Sequence, residues 1–161
     1  MIKYVIIYTA DKITEHFTAK EYGQNCSGDL YFSSEARLFY ITLEKFRKWL
    51  RRKMFITSGY RTAELNKRFG GVPNSNHLRG CAADWHCNIK ITEEKFIKYA
   101  KVWARLCYEA GTVGEAGLYN NFVHFGFQSE SQKKTNRNKF IAWDSRSGKT
   151  VLNAFPELRN I

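Results

Sequence analysis

Two histidines and one aspartate have the types and surroundings of metal ligands. The stretch 75–84 reads SNHLRGCAAD, so that His77 follows a polar loop and small residues lead up to Asp84. The stretch 121–127 reads NFVHFGF and places His124 among aromatic residues. Two imidazoles and a carboxylate, with a water molecule in the fourth position, are typical ligands of a catalytic zinc ion. These residues therefore predict a catalytic Zn²⁺ site formed by His77, Asp84 and His124.

Asp84 needs such a partner because its surroundings are apolar. The stretch 80–85 is predicted to be a strand, in which alternate side chains point to opposite faces. An acid inside an apolar strand is costly unless it is paired or bound to a metal. A closed structural zinc site with Cys81 or Cys87 is an alternative, but Cys81 faces away from Asp84 on such a strand. Taken alone, His124 would be interpreted as a core histidine bonded to a backbone carbonyl.

Arg61 is a candidate for binding anionic groups at the same site. The stretch 55–62 reads FITSGYRT, a strand that runs through a glycine turn into the arginine. A guanidinium at the mouth of a site binds a carboxylate or stabilises a developing oxyanion. The alternative is an arginine that is merely exposed at the end of a strand.

Hydrophobic spacing predicts the elements that carry these residues. Apolar residues recur at helical spacing after Ser34 and after Thr92, and both residues are suitable N-caps. Predicted strands cover 3–9, 54–57, 80–85 and 122–127, and predicted helices cover 34–53, 62–70 and 92–111. Residues 10–33, 72–76 and 129–140 are predicted to be irregular, and 143–161 to add one further strand or to pack on the rest.

The length of 161 residues fits a single domain. We divide it into an irregular N-terminal segment (1–33), a core that contains the site (34–127), and a basic loop with a C-terminal tail (128–161). A hydrophobic content of 43% is enough for a core without disulfides, and the four cysteines match no disulfide framework. We therefore expect buried free thiols.

The chain is strongly basic, with a formal net charge of +11. Such a surplus favours a polyanionic partner, and nucleic acid, anionic lipid and bacterial envelope polymers all qualify. Basic clusters at 47–53 and 133–139 are the sole support for nucleic acid, so we expect none. No apolar stretch approaches the ~20 residues of a membrane span, and the apolar run near the N-terminus is too short for a signal peptide. We expect a protein made in the cytoplasm.

Three separated blocks resemble one known family. They are SGYRT at 58–62, the pattern S-x-H-x-x-G-x-A-x-D at 75–84 and FVH at 122–124, with Asn66 and the GGV of 70–72 between them. Together they resemble the zinc D-alanyl-D-alanine carboxypeptidases and L-alanyl-D-glutamate endopeptidases, whose fold is shared with the Hedgehog signalling domain. The resemblance covers about residues 54–127, and HFTAKEY at 16–22 is similar to the amino-terminal segment of the family.

The resemblance implies an α+β fold in which a small antiparallel sheet with flanking helices carries the site. It implies zinc ligation by His77, Asp84 and His124, support of the substrate or transition state by Arg61, and a position for Ser75 in the substrate cleft. The implied substrate is a peptidoglycan stem peptide, with anionic cell-wall polymers as further partners. We expect a monomer that acts in phage-type lysis, reaching the cell wall after release from the cytoplasm.

One position departs from the family pattern. Many members carry an acid three residues before the last ligand histidine, acting as general base, and this sequence has Asn121 there. An amide cannot accept a proton at neutral pH. Glu115, in the glycine-rich stretch 111–117, is the nearest upstream acid and our candidate for the general base, although a glutamate on a loop surface is the alternative. His86, two residues after Asp84, is a weaker candidate.

The missing acid leaves a second class of function open. A non-catalytic, zinc-containing protein that binds cell-wall peptides without cleaving them would use the same metal ligands. The sequence also does not distinguish a D,D-carboxypeptidase from an L-Ala-D-Glu endopeptidase.

Overall fold

A computed structural model describes residues 4–7, 12–26 and 30–161 of the chain. The helices are α1 (Ala19–Tyr22), α2 (Ser34–Leu50), α3 (Ala63–Arg68), α4 (Glu93–Glu109) and α5 (Glu130–Thr135). The strands are β1 (Tyr4–Ile7), β2 (Leu30–Ser33), β3 (Phe55–Ser58), β4 (Ala82–His86), β5 (Gly114–Leu118), β6 (Val123–Phe127), β7 (Ile141–Asp144) and β8 (Val151–Leu152). Two short 3-10 helices span Asn76–Arg79 and Pro156–Leu158.

A six-stranded sheet with the order β3-β4-β6-β5-β7-β8 is the centre of the fold, and β1 and β2 form a separate antiparallel pair. The predicted α+β class with flanking helices is confirmed. The sheet is mixed, however, because β7 runs parallel to β5 while the other pairs are antiparallel. The chain passes through α5 after β6 and so returns beside β5 in the same direction.

The two long helices begin where the sequence provides N-caps. The Ser33 hydroxyl accepts a hydrogen bond from Ala36 N at the start of α2, one residue before the predicted cap. The Thr92 hydroxyl does the same for Lys95 N at the start of α4, as predicted. The predicted helix 34–53 ends earlier, at Leu50, because the next residue adopts a left-handed conformation.

Helices α2 and α4 pack on one face of the sheet through aromatic rings. The Trp103 ring of α4 stacks on Phe125 of β6 with 4.8 Å between centroids. From α2, the Phe46 ring lies 4.9 Å from Phe125, and Phe39 lies 5.2 Å from Phe127. Since strand side chains alternate, this packing leaves the other face of β6 free for polar residues.

That other face brings the predicted ligands together. Asp84 of β4 is directly opposite His124 of β6, while the neighbouring Trp85 is buried in the aromatic core. On the far side of β6, Glu115 of β5 is opposite Gly126. Three adjacent strands therefore carry Asp84, His124 and Glu115 side by side.

Several short elements lie where the sequence predicted irregular chain. Helices α1 and α5 begin with capping boxes and are too short to show a hydrophobic period. Strand β2 pairs with β1, and parts of the predicted strand 3–9 lie outside the described residues. The 129–140 stretch contains α5, and the tail contributes two strands, β7 and β8. Strand β5 was not predicted at all.

The cysteines agree with the expectation of free thiols, although Cys26 is only partly buried. All four cysteines are free, and three of them are buried: Cys81, Cys87 and Cys107. Within the described part of the chain, no helix combines the length and the apolar composition needed to cross a membrane.

Candidate metal centre

His77, Asp84 and His124 form a buried cluster on the polar face of the sheet. One ligand atom from each residue lies within 4.8 Å of the other two. Asp84 Oδ1 is the shared point, 3.2 Å from His77 Nε2 and 2.9 Å from His124 Nδ1. Each of the three residues is at most 7% exposed. The structure thus brings together the three ligands that the sequence predicted.

The 3-10 helix Asn76–Arg79 presents His77 to the cluster. His77 Nδ1 lies 2.6 Å from the carbonyl oxygen of Gly59, which can only accept a hydrogen bond. Nδ1 therefore carries a proton, and Nε2 is the nitrogen that faces Asp84, 3.2 Å from its Oδ1. Burial lowers the pKa of His77 even though Asp84 lies beside it. A neutral imidazole with a free Nε2 is the form that binds a metal.

Asp84 is ionised and held from two sides. Burial alone would raise its pKa, but His77 and His124 outweigh burial and hold the pKa well below its usual range. Arg61 donates from Nη2 to Asp84 Oδ2 at 2.7 Å and from Nε to Ser58 Oγ at 2.8 Å. One carboxylate oxygen therefore faces the arginine while the other faces both histidines.

His124 lies between two carboxylates. Its Nδ1 contacts Asp84, and its Nε2 lies 3.1 Å from Glu115 Oε1. Burial alone would lower the pKa of His124, but the hydrogen bonds to Asp84 and Glu115 raise it to about 9. Burial would likewise raise the pKa of Glu115, whereas its hydrogen bonds with His124 and Asn76 hold it below the ordinary value. Glu115 is therefore ionised beside the imidazole.

Glu115 is the inner end of a hydrogen-bonded chain that reaches the surface. Asn76 Nδ2 donates to Glu115 Oε1 at 2.7 Å, and Arg79 Nη1 donates to Asn76 Oδ1 at 2.7 Å. Arg79 also pairs through Nη2 with Glu35 in the first turn of α2. Glu115 itself is 5% exposed, so the alternative of a glutamate on a loop surface does not describe it.

The cluster lies beside a cavity of about 500 Å³ that is open to solvent. Arg61, Ser75 and Glu115 line it together with the three ligand residues. The remaining wall is largely apolar or aromatic and includes Phe69, Val72, Tyr119, Ile141, Trp143 and Leu152.

Trp143 is a wall residue that sequence reasoning did not identify. Its ring lies 5.2 Å from the His124 ring, and its Nε1 donates to the Tyr119 hydroxyl at 3.2 Å. Gly117 makes room for it, because a Cβ atom there would meet the indole ring. The pairing of β5 with β7 places Trp143 opposite Gly117. A glycine facing a tryptophan from a distant segment gives no local sequence signal.

The other residues considered from sequence have different surroundings. Ser75 lines the cavity, and its hydroxyl also accepts a bond from His77 N at 3.4 Å as the cap of the 3-10 helix. Asn121 is exposed on the turn before β6 and lines a separate cavity. His86 lines that same separate cavity and stacks on Phe55 with 5.1 Å between ring centroids. Neither Asn121 nor His86 lines the cavity of the cluster.

The donor set fits zinc. Two imidazole nitrogens and a carboxylate oxygen are zinc ligands, and a tetrahedral ion with bonds of about 2.0–2.1 Å separates its ligand atoms by about 3.3 Å. The contacts of 3.2 and 2.9 Å to Asp84 Oδ1 are close to that separation. The adjoining cavity provides room for a further ligand, as a catalytic ion requires.

A second group of possible ligands, Glu15, His16 and Glu44, does not fit a metal as well. Both Glu44 oxygens already accept hydrogen bonds, from the Thr14 hydroxyl and from the backbone and ring of His16. Glu15 pairs with Lys48 at 2.6 Å. These contacts describe a structural network that fastens the segment before α1 to α2.

An α+β fold with a buried His–Asp–His cluster beside an open cavity defines a protein with a candidate metal centre. The chain belongs to the peptidase M15 family, whose model matches residues 11–126. Among solved structures, it is similar to the L-Ala D-Glu endopeptidase ChiX of Serratia marcescens, with 16% sequence identity and a TM-score of 0.44. That likeness covers 56% of this chain and 77% of the other. No curated protein matches the sequence significantly.

Proposed function

We propose that this M15 member is a zinc-dependent peptidase that hydrolyses peptidoglycan stem peptides, as a D,D-carboxypeptidase or an L-Ala-D-Glu endopeptidase. The observation that carries the proposal is the His77–Asp84–His124 cluster, with ligand atoms within 4.8 Å of one another beside an open cavity. Family membership supplies the peptidase class. The endopeptidase named among the solved structures suggests the substrate class only by analogy.

His77, Asp84 and His124 would hold the ion. A zinc ion bound there would activate water and polarise the scissile carbonyl. Arg61 keeps the Asp84 carboxylate turned toward both histidines through its bond to Oδ2. A guanidinium has five N–H donors, so Arg61 also has donors for a substrate carboxylate or a developing oxyanion. Its side chain is 12% exposed and lines the cavity, which suits this second task.

The cavity has the size and surface of a short peptide site. Its volume of about 500 Å³ falls within the range of small-ligand pockets. Ser75 offers a hydroxyl at the wall, while Trp143, Phe69 and Val72 offer apolar surface. A stem peptide combines alanine methyl groups with carboxylates, so an apolar wall beside Arg61 matches its chemistry.

The identity of the residue that accepts the proton of the attacking water is the least secure part of the site. The sequence-based hypothesis assigns it to Glu115, and that assignment stays a prediction. Glu115 does line the cavity, but its Oε1 accepts from Asn76 and faces His124 Nε2. These contacts favour a role in positioning His124.

The biological context rests on the sequence alone. Phage-type lysis, a monomeric state and a single domain over 1–161 stay predictions. The formal net charge of +11 supports attraction to anionic cell-wall polymers.

Incubation of the zinc-loaded protein with purified stem peptides, followed by mass spectrometry, tests the proposal. We expect loss of D-alanine or cleavage after L-alanine, abolished by a chelator and by His124→Ala. Stoichiometric zinc binding without cleavage of any stem peptide, but with measurable peptide binding, would favour the non-catalytic wall-peptide binder. A protein that neither binds zinc nor cleaves would end the proposal.

A further inference from the structure

We propose that Glu115 is a positioning residue that fixes His124 as a metal ligand, and that Asn76 and Arg79 hold Glu115 in place. The inference rests on the proposed metal site and adds to it a supporting chain, Glu35–Arg79–Asn76–Glu115–His124. Each link is a hydrogen bond or an ion pair between side chains of the described residues. Of these five residues, only His124 is one of the three proposed metal ligands.

The first step concerns the protons of His124. Its Nδ1 faces Asp84 Oδ1, the atom that also faces His77, so Nδ1 is the nitrogen directed to the shared metal position. A ligating nitrogen must be unprotonated, and the other ring nitrogen of a neutral imidazole then carries the hydrogen. With a metal ion on Nδ1, Nε2 would carry the hydrogen and donate it to Glu115 Oε1, a contact of 3.1 Å that would fix both the tautomer and the ring orientation.

The second step concerns the orientation of Asn76. A carboxylate only accepts hydrogen bonds and a guanidinium only donates them. Asn76 must therefore turn Nδ2 toward Glu115 and Oδ1 toward Arg79, and both contacts are 2.7 Å. Arg79 in turn pairs with Glu35 on α2. The charge of Glu115 is thus stabilised by a single orientation of the Asn76 amide, which Arg79 and Glu35 connect to helix α2.

The third step concerns the space that Glu115 occupies. Gly126 lies opposite Glu115 and two residues after His124 on β6. A Cβ atom at position 126 would lie 2.7 Å from Glu115 Oε1 and 3.0 Å from its Cγ. The glycine therefore leaves the pocket in which the carboxylate reaches Nε2. Any side chain at this position would push Glu115 away from the imidazole.

His77 receives a matching support from the backbone. Its Nδ1 is bonded to Gly59 O, so both imidazoles have the nitrogen remote from the metal position held by an acceptor. For His77 the acceptor is a neutral carbonyl, and for His124 it is a carboxylate. A carboxylate acceptor makes the imidazole a stronger ligand than a carbonyl does.

The test compares zinc affinity among variants by competition with a chelating dye. We expect Glu115→Ala to lower zinc affinity about 10- to 100-fold, as loss of an outer partner of a ligand histidine does. The zinc affinity of Glu115→Gln should fall less, because the amide oxygen of the glutamine still accepts a hydrogen bond from His124 Nε2. Gly126→Ala should lower the affinity as well, although it removes no polar group. Asn76→Ala should have a smaller effect in the same direction.

Glu44→Gln is the matched control. Glu44 is also a buried glutamate that contacts a histidine ring, at 2.6 Å from His16 Nδ1, but it belongs to the network before α1. We expect its zinc affinity to equal that of the wild type. If Glu115→Ala does not fold, Gly126→Ala and Asn76→Ala carry the test with the same expected direction.

Nitrogen NMR of the zinc-loaded protein adds a signature that a merely structural role would not produce. We expect the His124 ring to show a metal-bound Nδ1 and a protonated Nε2, with the Nε2 hydrogen protected from exchange in the wild type and exposed in Glu115→Ala. Unchanged zinc affinity in both Glu115→Ala and Gly126→Ala, together with loss of cleavage in Glu115→Gln, would overturn the inference and favour a general base at this position. A wild-type protein that binds no zinc would instead refute the proposed function.

Discussion

Arg61 and Asp84 form a buried ion pair that orients a candidate metal ligand. Arg61 Nη2 lies 2.7 Å from Asp84 Oδ2, and both side chains are 12% exposed or less. Asp84 Oδ1 is left facing His77 and His124. The sequence predicts that Arg61 supports the substrate or the transition state, and the structure adds a contact with the candidate ligand Asp84.

Arg61→Ala should therefore affect both turnover and metal binding. We expect turnover to fall about 100-fold or more through loss of an anion-stabilising donor, and zinc affinity to fall about tenfold through loss of the Asp84 partner. Arg61→Lys keeps the charge but not the two-sided contact to Asp84 and Ser58, so it should restore affinity more than turnover. Kinetics at saturating zinc separate the two effects. Equal values for wild type and Arg61→Ala in both measurements would show that Arg61 contributes neither to turnover nor to zinc binding.

His77→Ala and His124→Ala should each abolish stoichiometric zinc binding, because a site with two remaining protein ligands binds zinc weakly. Elemental analysis after dialysis measures the metal content. His86→Ala is the control, since His86 lines a different cavity and stacks on Phe55. Retention of one zinc per chain in both ligand variants would refute the site.

Removal of zinc should lower the melting temperature of the protein. An ion at a thousandfold excess over its Kd stabilises the folded state by about 4 kcal/mol, and each kcal/mol corresponds to about 2–4 °C for a domain of this size. Calorimetry with and without a chelator should therefore show a shift of about 8–16 °C. The His124→Ala variant should show no such shift, and a shift of the same size in that variant would place the stabilising ion elsewhere.

Acid should remove a contribution of Glu44 to stability. Burial alone would raise the pKa of Glu44, but hydrogen bonds from His16 and Thr14 outweigh it and lower the pKa. A depressed pKa in the folded state contributes stability above the unfolded pKa of about 4.3, and this stability is lost as the pH falls through the folded value.

Glu44→Gln should accordingly destabilise the protein by about 1–3 kcal/mol near neutral pH. The difference from the wild type should shrink as the pH falls below about 4.3. Denaturant unfolding at several pH values measures this difference in unfolding free energy. Glu64→Gln, on an exposed side chain of α3, should track the wild type throughout. A Glu44→Gln difference that is constant with pH would contradict the assignment.

Asn121→Asp should leave the cleavage rate unchanged, because position 121 does not line the cavity of the cluster. The side chain is exposed and lines the cavity shared with His86 and Lys90, so a new carboxylate there costs little stability. Cleavage rates on stem peptides provide the measurement. If the wild type never cleaves and Asn121→Asp does, the protein is a wall-peptide binder that one substitution makes catalytic.

Residue type and strand alternation predicted in part that the three candidate ligands lie together. The opposite faces of their strands carry buried apolar residues, Ala83 and Trp85 on β4 and Val123, Phe125 and Phe127 on β6, so Asp84 and His124 share the polar face. The supporting residues gave no comparable signal. Asn76 sits between Ser75 and His77 and resembles an ordinary loop residue until Glu115, from a distant strand, is placed against it.

Strand β5 shows why part of the fold escaped prediction. Its sequence, GEAGL, has none of the β-branched or aromatic residues that favour strands. Two of its positions serve tertiary neighbours instead: Gly117 makes room for Trp143, and Glu115 reaches His124. Packing against residues far along the chain overrides the local preference, so a reading of the β5 sequence alone gives a loop.

The three candidate ligands differ in how firmly the fold holds them. Asp84 and His124 lie on β4 and β6, which are inner strands of the six-stranded sheet and exchange hydrogen bonds on both sides. His77 lies on a four-residue 3-10 helix outside that sheet. Opening an inner strand generally costs more free energy than opening a short turn. Binding and release of a metal ion should therefore depend on movement of His77 more than on movement of Asp84 or His124.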